Sequence, residues 1–285
     1  MIDRRHLLLT LAALSAPAPA LLRGRPAAAE AASAWSRDMR SSLRLIGAGS
    51  EGEGASLRHR AGLQIRLEPG TKTYWRTPGD SGVPPLFDWS ASRNLAEISL
   101  AWPAPIRFSD GGGQSIGYKT DVVFPVLVRP ADPAQPVHLA AKVDYAVCET
   151  ICIPAKGETR LTLAAGPAPD TALAGEVARF AGQVPRPAVD GLSLALAAVE
   201  PASPHPVATL VADVGAETGR IDLFAEGPDP QWALPLPEPL DQEGARRRFR
   251  LTLDGAPRGV APLGHLFTFT LVAGSRALEA QLRLA

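Results

Sequence analysis

Short runs in which every second residue is apolar, each stopped by proline or glycine, recur along this chain. Leu63, Ile65 and Leu67 alternate with polar partners, and Ile98, Leu100 and Trp102 do so again before Pro103. Val137, Leu139, Val143, Tyr145 and Val147 share one parity, as do Thr159, Leu161 and Leu163. A period of two lines up side chains on one face of a strand, not on one face of a helix. "DVVFPVLV" (Asp121 to Val128) is apolar almost throughout, and its Pro125 predicts an edge position or a bulge, because proline donates no ladder hydrogen bond. With 28 prolines, 26 glycines and 6% aromatic residues in 285, the chain suits many strands and turns rather than long helices.

The alternation is interrupted once. "DTALAGEVARFAGQVPRP" puts Leu173, Val177, Phe180 and Val184 on one helical stripe, with Asp170 able to cap it and Pro185 to end it. Strand-like runs then resume at Leu192/Leu194/Leu196, Val207 to Val214, Ile221/Leu223, Phe249/Leu251/Leu253, Phe267/Phe269/Leu271 and Leu278/Leu282/Leu284. The expected fold class is all-β, with two β-sandwich domains over 35–165 and 189–285 joined by a short helix within 166–188.

The N-terminus, "MIDRRHLLLTLAALSAPAPALLRGRPAAAEAASAW", has Arg4 and Arg5, an apolar run from Leu7 to Leu14 and then small residues. That order reads as an export signal over 1–34, with cleavage expected after Ala29 or Ala34, and the arginine pair also fits twin-arginine export. No later segment is long and apolar enough to span a bilayer, so a mature protein outside the cytoplasm without a transmembrane span is expected. Formal net charge is zero and the cations are scattered, which argues against nucleic acid as a partner.

Only two cysteines occur, Cys148 and Cys152, in "YAVCETICIPAKG" between the last two strands of the first domain. Residues four apart in an extended strand are roughly 13 Å apart, whereas a disulfide needs Cα atoms within about 7 Å. A bridge here therefore requires "CETIC" to turn. Closing a loop of about five residues removes only about 2 kcal/mol from the unfolded state in the chain-entropy model, so the pair is a weak staple. Four readings stand side by side: a structural disulfide, two unlinked thiols, a Cu(I) or Zn(II) site completed by Met39 or one of His59, His138, His205 and His265, and thiol–disulfide exchange. Lys142 and Lys156 would favour a thiolate, while Asp144 and Glu149 would oppose it.

"TYWRTPGDSGVPPLFDWSASRNL" (Thr73 to Leu95), "WPAPIRF" (Trp102 to Phe108), "GYKTDVVFPVLVRP" (Gly117 to Pro130) and "VDYAVCETICIPAKGETRL" (Val143 to Leu161) follow one another in an order that resembles the DsbD N-terminal (alpha) domain family, in its ScsB-like variant. The resemblance covers roughly Trp35 to Ala165 and implies an immunoglobulin-like fold carrying a redox-active cysteine pair. It also implies an electron relay that resembles a thiol–disulfide oxidoreductase, with Cys152 attacking and Cys148 resolving and no organic cofactor. The implied partners are a DsbD- or CcdA-like membrane electron donor and periplasmic thioredoxin-fold or disulfide isomerase proteins. The cysteine spacing departs from that of the DsbD domain itself and is nearer the ScsB-like variant. The family's membrane and thioredoxin-like domains have no counterpart in this sequence, so the donor is expected to be a separate protein.

The family shields its cysteines with a mobile cap loop, matched here by "FSDGGGQSIGYK". Phe108, Ile116 or Tyr118 are the candidate covers, with Gly111, Gly112 and Gly113 supplying flexibility. "TYWRTPGDSGVPP" reads as a rigid irregular loop with Trp75 in the core and Arg76 paired to Asp80 or Asp88.

Overall fold

The computed structural model describes residues 31–109 and 113–285. The first sandwich is built from β1 (Ser36–Asp38), β2 (Ser41–Glu51), β3 (Arg58–Leu67), β4 (Thr73–Gly79), β5 (Leu86–Asp88), β6 (Leu95–Leu100), β7 (Ile106–Ser109), β8 (Gln114–Tyr118), β9 (Val122–Pro130), β10 (Val137–Cys148) and β11 (Cys152–Leu163). One face is the antiparallel sheet β1-β2-β3-β9-β6, the other is β11-β10-β5, and a small sheet β4-β8-β7 accompanies them. Leu43, Leu45, Leu63, Ile65, Phe124, Leu139 and Val143 are fully buried between the layers. Each contributes about 1.5–3 kcal/mol by leaving water.

β9 lies inside its sheet, not at an edge, and the reason Pro125 is tolerated is local. Its carbonyl accepts the Ala101 N–H at 2.8 Å, and in an antiparallel ladder a residue's N–H and C=O point the same way. The missing donor therefore faces the point where β6 has just ended, and no ladder bond is lost.

α1 (Ala174–Ala181) buries Val177 and Phe180 against β9, β2 and β3. It starts later than the sequence suggests, with Leu173 at the N-cap position. Asp170 is instead ion-paired to Arg60, and the Thr171 hydroxyl accepts the Leu173 N–H at 3.1 Å.

The second sandwich contains β12 (Ser193–Glu200), β13 (Val207–Asp213), β14 (Ile221–Glu226), β15 (Glu238–Glu243), β16 (Arg246–Thr252), β17 (Leu266–Ala273) and β18 (Arg276–Arg283). Its sheets run β12-β13-β16-β15 and β14-β17-β18. The alternation pattern misses β15 because all six of its residues are exposed, which leaves an edge strand with no apolar face to read.

Two further segments differ from expectation. Residues 73–79 are a strand, β4, rather than an irregular loop. Ala32 bridges Ile46, and the Ser33 hydroxyl lies 2.6 Å from that of Thr159 while accepting the Leu45 N–H at 2.9 Å. The described part of the expected leader, 31–34, is thus built into the first sandwich, and the rest lies outside the described residues.

Candidate functional site

β10 and β11 form a hairpin of twelve register pairs whose last pair is Cys148 with Cys152. The turn between them brings the two Cα atoms to 4.1 Å, and the sulfurs are bonded. The cysteine end of β10 is held from the side by Lys72: the Lys72 N–H donates to the Cys148 carbonyl at 2.8 Å, and the Cys148 N–H to the Lys72 carbonyl at 2.9 Å. One residue later the Thr73 hydroxyl donates to the Ala146 carbonyl at 2.9 Å.

This anchoring delivers Tyr74 to the sulfurs. Its hydroxyl donates to Cys148 Sγ at 2.7 Å and sits 3.0 Å from Cys152 Sγ. Sulfurs in a disulfide carry no proton, so the single phenolic hydrogen serves both. Tyr74 is fully buried in a small cluster with Phe108, Ala146 and Cys148, apart from the main core. A Cβ on Gly117 would meet the Thr73 carbonyl oxygen at 2.0 Å and one on Gly82 would meet the Tyr74 ring at 2.4 Å. Only glycine lets β8 and the loop after β4 close on this tyrosine from two sides.

The two sulfurs are unequal. Cys148 is 1% exposed, whereas Cys152 is exposed, beside Ile151 at 75%. The charges nearby are already matched: Glu149 is ion-paired to Arg40, and Lys156 contacts Asp144 at 2.7 Å. Lys156, one of the two lysines named from the sequence, is thereby engaged by a carboxylate rather than by a sulfur.

Of the candidate covers, Phe108 lies in the Tyr74–Cys148 cluster, its ring centroid 6.4 Å from that of Tyr74. The ammonium groups of Lys72 and Lys119 lie 5.4 Å and 5.3 Å from the Phe108 centroid, within cation–π range. Ile116 and Tyr118 pack into the main core instead. The Tyr118 hydroxyl donates to the Pro103 carbonyl at 2.8 Å, and burial raises its pKa well above the ordinary value, so it stays protonated. Gly111 and Gly112 lie outside the described residues. Gly113 abuts the Asp80 carboxylate, which accepts the Gln114 N–H at 2.8 Å.

Trp75 is fully buried, as its position predicts, but Arg76 pairs with neither Asp80 nor Asp88. It reaches the second sandwich, contacting Glu226 at 2.7 Å and also Glu279. Tyr74 was not legible as a sulfur contact, because 74 residues separate it from Cys148 and the Lys72–Cys148 backbone bridge just before β4 is what brings them together. Among the described residues no group of three or more His, Cys, Asp or Glu side chains is placed to hold a metal ion.

Residues 53–164, the segment containing both cysteines, match the family described as "Thiol:disulfide interchange protein DsbD, N-terminal". The N-terminal periplasmic domain of ScsB from Proteus mirabilis, a crystal structure, has the same fold with a TM-score of 0.69. The match covers 90% of this chain and 98% of that one at 19% identity. No curated protein matches the chain.

Proposed function

We propose, from the premise that residues 53–164 form a DsbD N-terminal-like domain, that this chain is a periplasmic thiol–disulfide interchange protein. It relays electrons through Cys148 and Cys152 from a DsbD- or CcdA-like membrane donor to thioredoxin-fold or disulfide isomerase partners. The observation that carries the reading is the asymmetry of the pair: one sulfur exposed, the other buried under a hydroxyl donor.

That asymmetry supports the following order of steps. A donor thiolate attacks the exposed Cys152 sulfur, forming a mixed disulfide and breaking the Cys148–Cys152 bond. Cys148 leaves as a thiolate, to which the Tyr74 hydroxyl donates, and a donor's second thiolate then attacks its own sulfur in the mixed disulfide and releases Cys152 as a thiolate. Two electrons have moved, the donor is a disulfide, and protons come from solvent. Toward an oxidised acceptor the sequence reverses, with the Cys152 thiolate attacking and Cys148 resolving. Stabilising the leaving thiolate lowers the barrier because a better leaving thiol departs faster.

A redox-buffer titration with counting of free thiols tests the reading. A midpoint between about −150 and −270 mV supports a relay, and one below about −300 mV marks a structural bridge.

A further inference from the structure

The two aromatic rings packed on Cys148 come from β4 and β7, and each strand carries an arginine beside its ring that reaches into the second sandwich. On β4, two residues after Tyr74, Arg76 Nε donates to the Glu226 carboxylate at 3.0 Å and 3.2 Å and Nη2 at 2.7 Å. Glu279 takes a further bond from Arg76, and the Thr77 hydroxyl donates to Glu226 at 2.8 Å. On β7, next to Phe108, Arg107 Nη2 donates to Asp222 at 2.8 Å and to the Leu223 and Pro237 carbonyls at 3.2 Å and 2.8 Å. Arg220 returns the contact by donating to the Pro105 carbonyl at 2.8 Å.

These are shielded, multiply bonded pairs. The Glu226 and Asp222 side chains are 17% and 13% exposed, against 63% for Glu97 in the surface pair Arg129–Glu97. Trp75 adds an apolar contact, its ring 6.0 Å from that of Phe224. The β4–β8 ladder supplies nothing in its place, since after Tyr74↔Gly117 the register jumps to Gly79↔Ser115. Trp75 sits in the first sandwich's core, but the side-chain bonds that hold Arg76 and Thr77, just after the sulfur-contacting tyrosine, come from the second sandwich.

We propose that the second sandwich is a positioning element for the Cys148–Cys152 pair, holding Tyr74 and Phe108 against the sulfurs through Arg76 and Arg107. The inference deepens the exchange reading and rests on it for its biological meaning, but its test does not, because small-molecule reduction needs no physiological partner. In the full chain, Glu226→Gln and Asp222→Asn are combined. The rate of disulfide reduction by dithiothreitol and the redox midpoint are then compared with wild type. Both sets are repeated with Tyr74→Phe and Phe108→Leu in place.

The expected result is a change in reduction rate of about threefold or more in the clamp variant, the scale of coupling within one shared network. The change should shrink when the two aromatic substitutions are already present. An unchanged rate and midpoint in a folded clamp variant, or the same change in both backgrounds, overturns the proposal. If the double variant does not fold, Thr77→Val, which removes one bond to Glu226, is read against the same two outcomes. A wild-type midpoint below about −300 mV sinks the relay while leaving this comparison intact.

Discussion

The Tyr74 hydroxyl lies 2.7 Å from the Cys148 sulfur, at a position closed to solvent. A donor there favours the thiolate of the reduced form more than the neutral disulfide. Hydrogen bonds to charged groups are worth about 1.5–3 kcal/mol. For two electrons, 30 mV corresponds to about 1.4 kcal/mol. Tyr74→Phe keeps the ring and removes the donor, so the midpoint should become more negative by about 30–60 mV. Redox titration of the variant checks this, and an unchanged midpoint would show that the hydroxyl does not discriminate between the two states.

Because Cys152 is exposed and Cys148 is 1% exposed, single-cysteine variants should behave differently. Cys148→Ala leaves the accessible sulfur and should accumulate mixed disulfides with a small disulfide reagent within minutes. Cys152→Ala leaves the buried one and should react at least about tenfold more slowly, as thiol exchange depends on access. Mass spectrometry of both variants over a reagent time course distinguishes them.

Phe224 belongs to the second sandwich by sequence but packs in the core of the first, against Trp75. Phe224→Ala should cost about 3–5 kcal/mol, the usual loss for a buried phenylalanine. Since Phe224 is carried by β14 of the second sandwich while its side chain fills the first core, the variant should also separate a shared unfolding transition into two. Calorimetry of wild type and variant provides the check.

His59 is 1% exposed, and its Nε2 has no hydrogen-bond partner among the described residues. Burial lowers its pKa from the ordinary 6.5, because the charged imidazolium is poorly solvated there. Between the lowered folded value and 6.5 the unfolded chain binds more protons, so stability falls as pH drops below 6.5 and stops falling below the folded value. Denaturant unfolding from pH 7.5 down to about 5 should show this slope in wild type, with a limit of about 1.36 kcal/mol per pH unit from this residue. His59→Leu should remove that part of the slope. An identical pH profile in both proteins would assign the whole dependence to carboxylates.

Cleavage after Ala34 would delete the Ser33 hydroxyl that bonds Leu45 and Thr159, as well as the Ala32–Ile46 bridge. Cleavage after Ala29 leaves them in place. The intact mass of exported protein should therefore correspond to a chain starting at Glu30.

Alternation was enough to reveal the two sandwiches, because strands with one buried face write a period of two into the sequence. It failed at β15, where no face is buried, and at β4, where Pro78 and Gly79 read as turn residues. The cysteine pair stood out by its spacing and rarity. Its surroundings did not, since Tyr74, Lys72 and the Arg76–Glu226 pair depend on contacts across 74 to 150 residues. Arg76 shows the difficulty plainly: Asp80 and Asp88 are its neighbours in sequence, yet Asp80 accepts the Gln114 amide and Asp88 that of Ser90.

The Cys148–Cys152 bond joins the last pair of a twelve-pair hairpin, so cutting it leaves eleven pairs and every other strand connection in place. A crosslink between distant strands would release a long loop each time it opened, and would have to find its partner again each time it closed. Here the separated thiols remain neighbours on adjoining strands. Opening the bond would release no long loop, so the chain's topology would be the same in both states, and repeated turnover would need no refolding step and no stage at which the core lies open to aggregation.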